Sequence, residues 1–88
     1  MAQLGADVEQ LDQLSRRFRE SAEQLRALTR TLGSQVHSAW WQGQDADRFR
    51  GDWDGTYSGQ LEQVAARLEE TAQAVTQQAA QQRQASAS

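Results

Sequence analysis

Cysteine, proline and lysine are all absent from this chain of 88 residues, which also has a single histidine, His37. Without cysteine there is no disulfide framework, and one histidine without cysteine neighbours supplies no ligand set for a metal ion. A chain of this size buries a small core and usually needs such a supplement, and oligomerisation is the one that remains. We therefore expect no metal or other cofactor, and a protein as the partner.

The chain also lacks an excess of positive charge and a long apolar run. Nine arginines face twelve acidic residues, which gives a net charge of −3, whereas nucleic-acid binding rewards clustered basic residues. No run approaches the ~18 apolar residues of a membrane span, and the first five residues lack the features of a signal peptide. The sequence predicts no nucleic-acid partner, no stable membrane insertion and no cleavable signal peptide.

Apolar residues recur at alternating steps of four and three in the first half of the chain, which is the spacing of one face of an α-helix. Leu14 and Leu28 lie beside this face and widen it to roughly 160°, more than the ~100° stripe of an ordinary amphipathic helix. Asp7, with Gln10 three residues later, resembles a capping box. The pattern predicts a helix over 7–39 whose apolar face is too wide for one neighbour.

A turn is expected over 40–44, followed by a second helix over about 45–82. Asp45 is its expected N-cap, and Asp47 suits the positive end of the helix dipole. The apolar positions from 49 to 61 are all four residues apart, which predicts a local drift of the apolar face. The last residues are Gln, Ala, Ser and one Arg, so we expect a disordered tail over 83–88.

Two long helices joined by a short turn form a thin hairpin, in which each helix has one neighbour but an apolar stripe sized for two. The economical solution is a four-helix bundle made from two hairpins. The sequence thus predicts an all-α chain, with one domain over 1–88 that forms an antiparallel helical hairpin and dimerises into a four-helix bundle. The residues expected in the core of the hairpin or dimer are Leu11, Leu14, Phe18, Leu25, Leu28, Leu32, Val36, Trp40, Tyr57, Leu61, Val64 and Leu68.

Catalysis finds little support in these residues. Nucleophilic catalysis needs a base held near a hydroxyl or thiol in a pocket that excludes water, and one histidine on a thin rod offers neither. Four acids are closely spaced after the turn, namely Asp45, Asp47, Asp52 and Asp54. Acids at this place stabilise the start of a helix. We therefore predict that the protein is not an enzyme.

Three glycines four residues apart lie on one face of helix two, nearly opposite Phe49 and Trp53. They are Gly51, Gly55 and Gly59. Each costs about 1 kcal/mol in a helix interior relative to alanine. Two interpretations stay open: an exposed, locally weak stretch of helix, or a functional strip that is either a docking groove for another helix or a segment that melts easily during export.

A Trp-x-Gly step stands at mid-chain between the two predicted helices, with Ala, Phe and Trp spaced behind it. The residues are Trp41, Gln42, Gly43, Ala46, Phe49 and Trp53. A tryptophan supplies a large apolar side chain, and a glycine permits a tight turn. With the lack of Cys and Pro, this pattern closely resembles the WXG-motif family, the early secreted antigen type exported by type VII secretion systems. The resemblance covers roughly residues 7–80.

The resemblance implies a hairpin that dimerises and is exported as a folded dimer, so that the chain is secreted without a cleaved signal peptide. Trp41 and Gly43 would then be both the turn and a contact point for the partner or the secretion machine. In such pairs one member carries a C-terminal Tyr-x-x-x-acid signal that a membrane-bound secretion ATPase reads. The sole tyrosine here is Tyr57, followed four residues later by Leu61. We therefore expect a heterodimer with a signal-bearing sister protein, and the alternative is a homodimer with a composite export signal.

Three alternatives remain beside export as a dimer. One is an intracellular coiled-coil adaptor or regulator, and another is the leader-type domain of a secreted toxin complex. The third is a membrane-perturbing effector, for which a basic polar face is expected; the acidic balance of the chain argues against it.

Overall fold

The structure, a computed structural model, describes residues 7–87, which form a long helical hairpin of about 65 Å by 16 Å by 15 Å. Helix α1 spans Val8–Ser38 and helix α2 spans Gln44–Asp52. A π-helical turn, Trp53–Tyr57, joins α2 without a break to helix α3, Ser58–Ala87. No strand occurs within this range. The predicted all-α hairpin is confirmed, and the pairing of two hairpins stays a prediction.

Helix α1 begins where a side chain satisfies its first free backbone N–H groups. The Asp7 carboxylate accepts hydrogen bonds from the Glu9 and Gln10 amides at 2.8 and 3.2 Å, which is the action of an N-cap. At the other end the Ala39 amide donates to the Gln35 carbonyl. The helix is therefore defined at both ends by local hydrogen bonds.

The second helical run begins one residue earlier than expected, and Asp45 is not its cap. The N-cap is Gly43, whose carbonyl accepts from the Asp47 amide at 3.0 Å. Gly43 has φ 119° and ψ 178°, a conformation that is essentially restricted to glycine. Asp45 and Asp47 lie in the first turn instead, where their charge favours the positive end of the helix dipole.

The π turn accommodates the apolar residues that are spaced by fours. In an α-helix, residues four apart drift around the axis by about 40° per step, whereas a π turn fits one extra residue. Phe49, Trp53 and Tyr57 consequently stay on one side, and the ring centroid of Phe49 lies 6.4 Å from that of Trp53 and 6.0 Å from that of Tyr57. The drift expected from the spacing is thus corrected by a local change of helix type.

The expected disordered tail is wrong for residues 83–87, because α3 continues to Ala87. Ala79 is fully buried near this end, and the Arg83 guanidinium donates to the Asp12 carboxylate of α1. These contacts hold a segment whose Ala and Gln residues already favour helix. Ser88, also included in the expected tail, lies outside the described residues.

Small side chains line the buried seam between the two helices. The seam consists of Ser15, Ala22, Thr29 and Val36 on α1 and Ala65, Ala72 and Ala79 on α3. Ser15 is only 2% exposed, and its hydroxyl donates to the Ala72 carbonyl at 3.1 Å. A seam of alanines lets two helices approach closely. It leaves the larger apolar side chains at its margins.

Candidate protein-binding face

The turn is held by one arginine that reaches back to the end of α1. Arg50 donates from Nε to the Val36 carbonyl, from Nη2 to the Ala39 carbonyl and from Nη1 to the Trp41 carbonyl, at 2.8 to 3.0 Å. Its guanidinium also lies 5.7 Å from the Trp41 ring centroid, within the range of a cation–π contact. The last carbonyls of a helix lack intrahelical partners, so Arg50 closes α1 and positions Trp41 together.

Aromatic rings continue from the turn along one side of the second helical run. Trp41 and Phe49 are 6.1 Å apart, and Phe49 in turn contacts Trp53 and Tyr57. Trp53 is 6% exposed and lies against Gly33, where an added Cβ would come within 3.0 Å of the indole Nε1. Trp41 and Tyr57 are about two-fifths exposed. The cluster is therefore anchored by Trp53 and open at its margin.

One side of the hairpin carries the polar contacts between α1 and α3. We call it the polar face; its residues are Asp12, Arg19, Arg26, Glu62, Glu69, Thr76 and Arg83. Arg26 binds both oxygens of Glu62 at 2.7 to 3.2 Å and one of Glu69 at 2.6 Å. Such a bidentate pair fixes geometry as well as charge. These contacts set the register of α1 against α3.

The ion pairs of the polar face shift the acidity of their members. The hydrogen bonds from Arg26 hold the pKa of Glu62 below its usual value, and the hydrogen bond from Arg83 does the same for the pKa of Asp12. In return these contacts raise the pKa of Arg26 and of Arg83. Each charged form is therefore favoured in the folded hairpin.

Stability is expected to fall as the pH drops below about 4, where free carboxyl groups titrate. The pKa of Glu62 is lower in the folded than in the unfolded chain, so its contribution is present above the unfolded pKa and is lost as the pH falls through the folded one. Thermal unfolding followed by circular dichroism between pH 7 and 2.5 checks this. Glu62→Gln should flatten the acid dependence; an equally steep decline in that variant contradicts the assignment.

The opposite side of the hairpin is apolar and has no cover. At 100° per residue it lies on the far side of the seam from the polar face on both helices. We call it the apolar face; its residues are Leu14, Phe18, Ser21, Leu25, Leu28, Leu32, Tyr57, Leu61, Val64, Leu68, Thr71 and Val75. None of the twelve is buried, and Leu28 near its middle is 60% exposed. A contiguous exposed apolar surface of this kind marks an interaction site.

The residues expected in the core are distributed over three environments. Leu11 and Val36 are buried in the hairpin. Four others are half-buried at the margin of the seam: Phe18, Leu25, Leu61 and Leu68. Five are exposed in the single hairpin: Leu14, Leu28, Leu32, Tyr57 and Val64.

Trp40 is not in the core of the hairpin, which corrects the expectation. Trp40 is 89% exposed, because α1 ends at Ser38 and Trp40 lies in the turn beyond it. Trp41 and Gly43 form the turn, and Ala46 is fully buried behind it. The turn motif is therefore one buried alanine, one half-covered tryptophan and one freely exposed tryptophan.

The three glycines of helix two lie on an open surface. An added Cβ at Gly51, Gly55 or Gly59 would meet nothing within 4 Å, and none of these glycines has a positive φ. Gly55 also lies within the π turn. The proposed docking strip is thus exposed, as either interpretation requires.

Replacing Gly51 and Gly59 with alanine is expected to stabilise the hairpin by about 1 kcal/mol at each position, because alanine loses less backbone freedom in a helix. The midpoint of thermal unfolding should rise by several degrees, measured by circular dichroism. An unchanged midpoint contradicts this expectation. If the stabilised variant loses partner binding or export, the docking interpretation of the strip gains support.

Several functional contacts have no clear sequence signal. Ser15 interrupts the apolar pattern of helix one, and this interruption is the one sequence signal of its buried hydrogen bond to Ala72. The hydrogen bonds of Arg50 to three carbonyls have no such signal, because they depend on the geometry of the turn. His37 lies next to one carboxylate, with its Nε2 2.8 Å from Asp54 Oδ1. Both side chains are about half exposed, so this pair is open to solvent.

Within residues 7–87 there is no group of three or more His, Cys, Asp or Glu side chains arranged to hold a metal ion. The same part of the chain contains no helix with the length and apolar character needed to cross a membrane. No protein-family model, curated protein or solved structure matches the chain. The case for a function therefore rests on the turn, the apolar face and the motif residues themselves.

Proposed function

We propose that this chain is a WXG-type secretion substrate that pairs with a second helical hairpin and leaves the cell as a folded dimer through a type VII secretion system. In this role it is both cargo and adaptor for its partner. The observation that carries the proposal is the uncovered apolar face. A hairpin with a complete core would bury these twelve residues, whereas this one leaves them all at least partly exposed.

The geometry of the turn supports the same proposal. Gly43 adopts a conformation reserved for glycine, and Trp41 is fixed by Arg50 while two-fifths of its surface stays accessible. A large aromatic ring held in place at low entropic cost is a typical anchor in protein interfaces. Trp41 is therefore well placed to contact a partner or the secretion machine. Recognition by the secretion ATPase would then use the partner's tail in addition.

Export from a bacterium with a functional type VII system tests the proposal. The tagged chain should appear in the culture supernatant with its N-terminus intact, and should be absent from the supernatant of a strain that lacks the secretion ATPase. Leu28→Glu, which places a charge on the apolar face, should keep the chain inside the cell. Ala27→Glu is the matched control, because Ala27 is exposed and lies outside that face.

Two results would count against export. Release that does not depend on the ATPase excludes type VII secretion, and retention of the unaltered chain in a cytoplasmic complex favours the intracellular coiled-coil adaptor instead. In the second case the apolar face would still be the binding surface, and Leu28→Glu would disrupt the complex.

A further inference from the structure

Two groups of buried residues on the second helical run are out of step with each other. Near the turn the buried residues are Ala46 and Trp53, seven residues apart, and in α3 they are Ala65, Ala72 and Ala79, again at intervals of seven. Ala65, however, follows Trp53 after twelve residues. Seven residues of α-helix nearly complete two turns, whereas twelve leave a rotation of about 120°. An unbroken α-helix would therefore turn one of the two groups away from α1.

Both groups nevertheless pack on α1. Trp53 lies against Gly33, and the Ala72 carbonyl accepts a hydrogen bond from the Ser15 hydroxyl. The adjustment is not made by α1, because α1 is one uninterrupted α-helix. It must lie between Trp53 and Ala65, and this interval contains the π turn.

The misfit between the two groups amounts to one residue. Eleven residues of α-helix make close to three full turns, so an interval of eleven would bring both groups onto one side. A π turn holds one residue more than an α turn, because its hydrogen bonds run from residue i to i+5. Here the Ser58 amide donates to the Trp53 carbonyl. Twelve residues with one π turn are thus equivalent to eleven residues of plain α-helix.

We propose that the π turn is a joint that absorbs one surplus residue, so that the turn end and α3 pack on α1 at the same time. Gly55 is the middle residue of this turn, and an added Cβ there would meet nothing within 4 Å. The surplus residue therefore projects into solvent and takes no space inside the hairpin.

The joint also sets the orientation of the turn relative to the apolar face. Phe49, which contacts Trp41, precedes the joint, and Tyr57, where the apolar face begins on the second run, is its last residue. Eight residues of α-helix would place Phe49 and Tyr57 about 80° apart, whereas their ring centroids are 6.0 Å apart. The aromatic cluster and the apolar face consequently form one continuous surface. This consequence for binding rests on the proposed function, whereas the joint itself does not.

Deletion of Gly55 tests the joint. It shortens the interval between the two buried groups to eleven residues, so the π turn should become α-helix and the contacts on both sides of it should remain. We expect a midpoint of thermal unfolding within about 3 °C of that of the unaltered chain, or above it, because a glycine is also removed from a helix. Circular dichroism measures the midpoint.

Deletion of Gly51 is the matched control, because this glycine is equally open to solvent but lies between Ala46 and Trp53. The interval within that group becomes six residues, which leaves the two side chains about 120° apart. No change at the joint can then bring both onto α1, and the midpoint should fall by at least about 10 °C. Equal losses in the two deletion variants, or tolerance of both, overturn the proposal.

Nuclear magnetic resonance of the Gly55 deletion variant shows the change of helix type directly. The Trp53 indole N–H should keep its contact with the Gly33 α-protons, because a Cβ at Gly33 would lie 3.0 Å from the indole Nε1. Contacts between backbone protons should follow the α-helical pattern through the joint. A π turn that persists in a stable Gly55 deletion variant overturns the proposal.

Failure of the joint and failure of the proposed function are distinguishable, because the midpoints and the proton contacts are measured on the purified chain without a partner. If the unaltered chain is not exported, the export proposal fails and the joint is unaffected. If the Gly55 deletion variant unfolds while the unaltered chain reaches the supernatant through the secretion ATPase, the joint is wrong and the export proposal stands.

Discussion

Replacing Trp53 with alanine is expected to lower the free energy of unfolding by about 3–5 kcal/mol, the usual cost of deleting a buried large aromatic side chain. Trp53 is 6% exposed, lies against the bare backbone of Gly33 and stacks with Phe49. Its removal leaves a cavity at the turn end of the hairpin, where the indole fills the space between the helices. Small domains have roughly 5–15 kcal/mol of stability in total, so we expect this variant to be largely unfolded as an isolated chain.

Thermal unfolding by circular dichroism measures the effect, and Trp40→Ala is the matched control. Trp40 is 89% exposed, so its deletion should leave the midpoint almost unchanged although the same side chain is removed. Equal destabilisation by the two substitutions would contradict the assignment of Trp53 as the anchor of the turn end.

The second large effect is expected at Gly43. Alanine at this position should cost about 1–3 kcal/mol, because φ 119° with ψ 178° is strained for any residue with a Cβ. Space is not the reason, since nothing lies within 4 Å of an added Cβ. We expect the start of α2 to loosen and the clamp between Arg50 and the Trp41 carbonyl to weaken.

Gly59→Ala provides the control for Gly43→Ala, because Gly59 is equally open but has no positive φ. It should stabilise the chain where Gly43→Ala destabilises it. The tryptophan fluorescence of the two variants should also differ, since only the first alters the surroundings of Trp41. If both substitutions stabilise the hairpin, the backbone conformation at position 43 does not require glycine.

The fold follows from sequence patterns that depend on nearby residues. The alternation of threes and fours, and Asp7 as a cap, act within one helix, so they are visible without tertiary information. The width of the apolar stripe on helix one also predicts that part of its apolar surface stays exposed after the hairpin forms. The exposed positions of Leu14 and Leu28 agree with that reasoning.

The features that sequence reasoning missed depend on the other helix. Ala65, Ala72 and Ala79 form the α3 side of the seam. A core predicted from large apolar residues does not include alanine. The spacing by fours predicts a drift of the apolar face, because it cannot show whether the backbone or the apolar face adapts, and the backbone adapts through the π turn. Trp40 is in line with the apolar stripe of helix one, which predicts a core position, but α1 ends at Ser38 and Trp40 is no longer on the helical face.

The seam residues of both helices recur at strict intervals of seven, at positions 15, 22, 29 and 36 and again at 65, 72 and 79. Helices that keep a strict seven-residue contact wind around each other with a left hand, at a pitch of about 150 Å. The apolar face has the same repeat and therefore winds with the seam. Over the roughly 27 Å from Leu14 to Leu32 it turns by about a sixth of a revolution. A straight helix or a flat surface would leave this face after a few turns, so only a partner wound with the same hand can follow it from end to end.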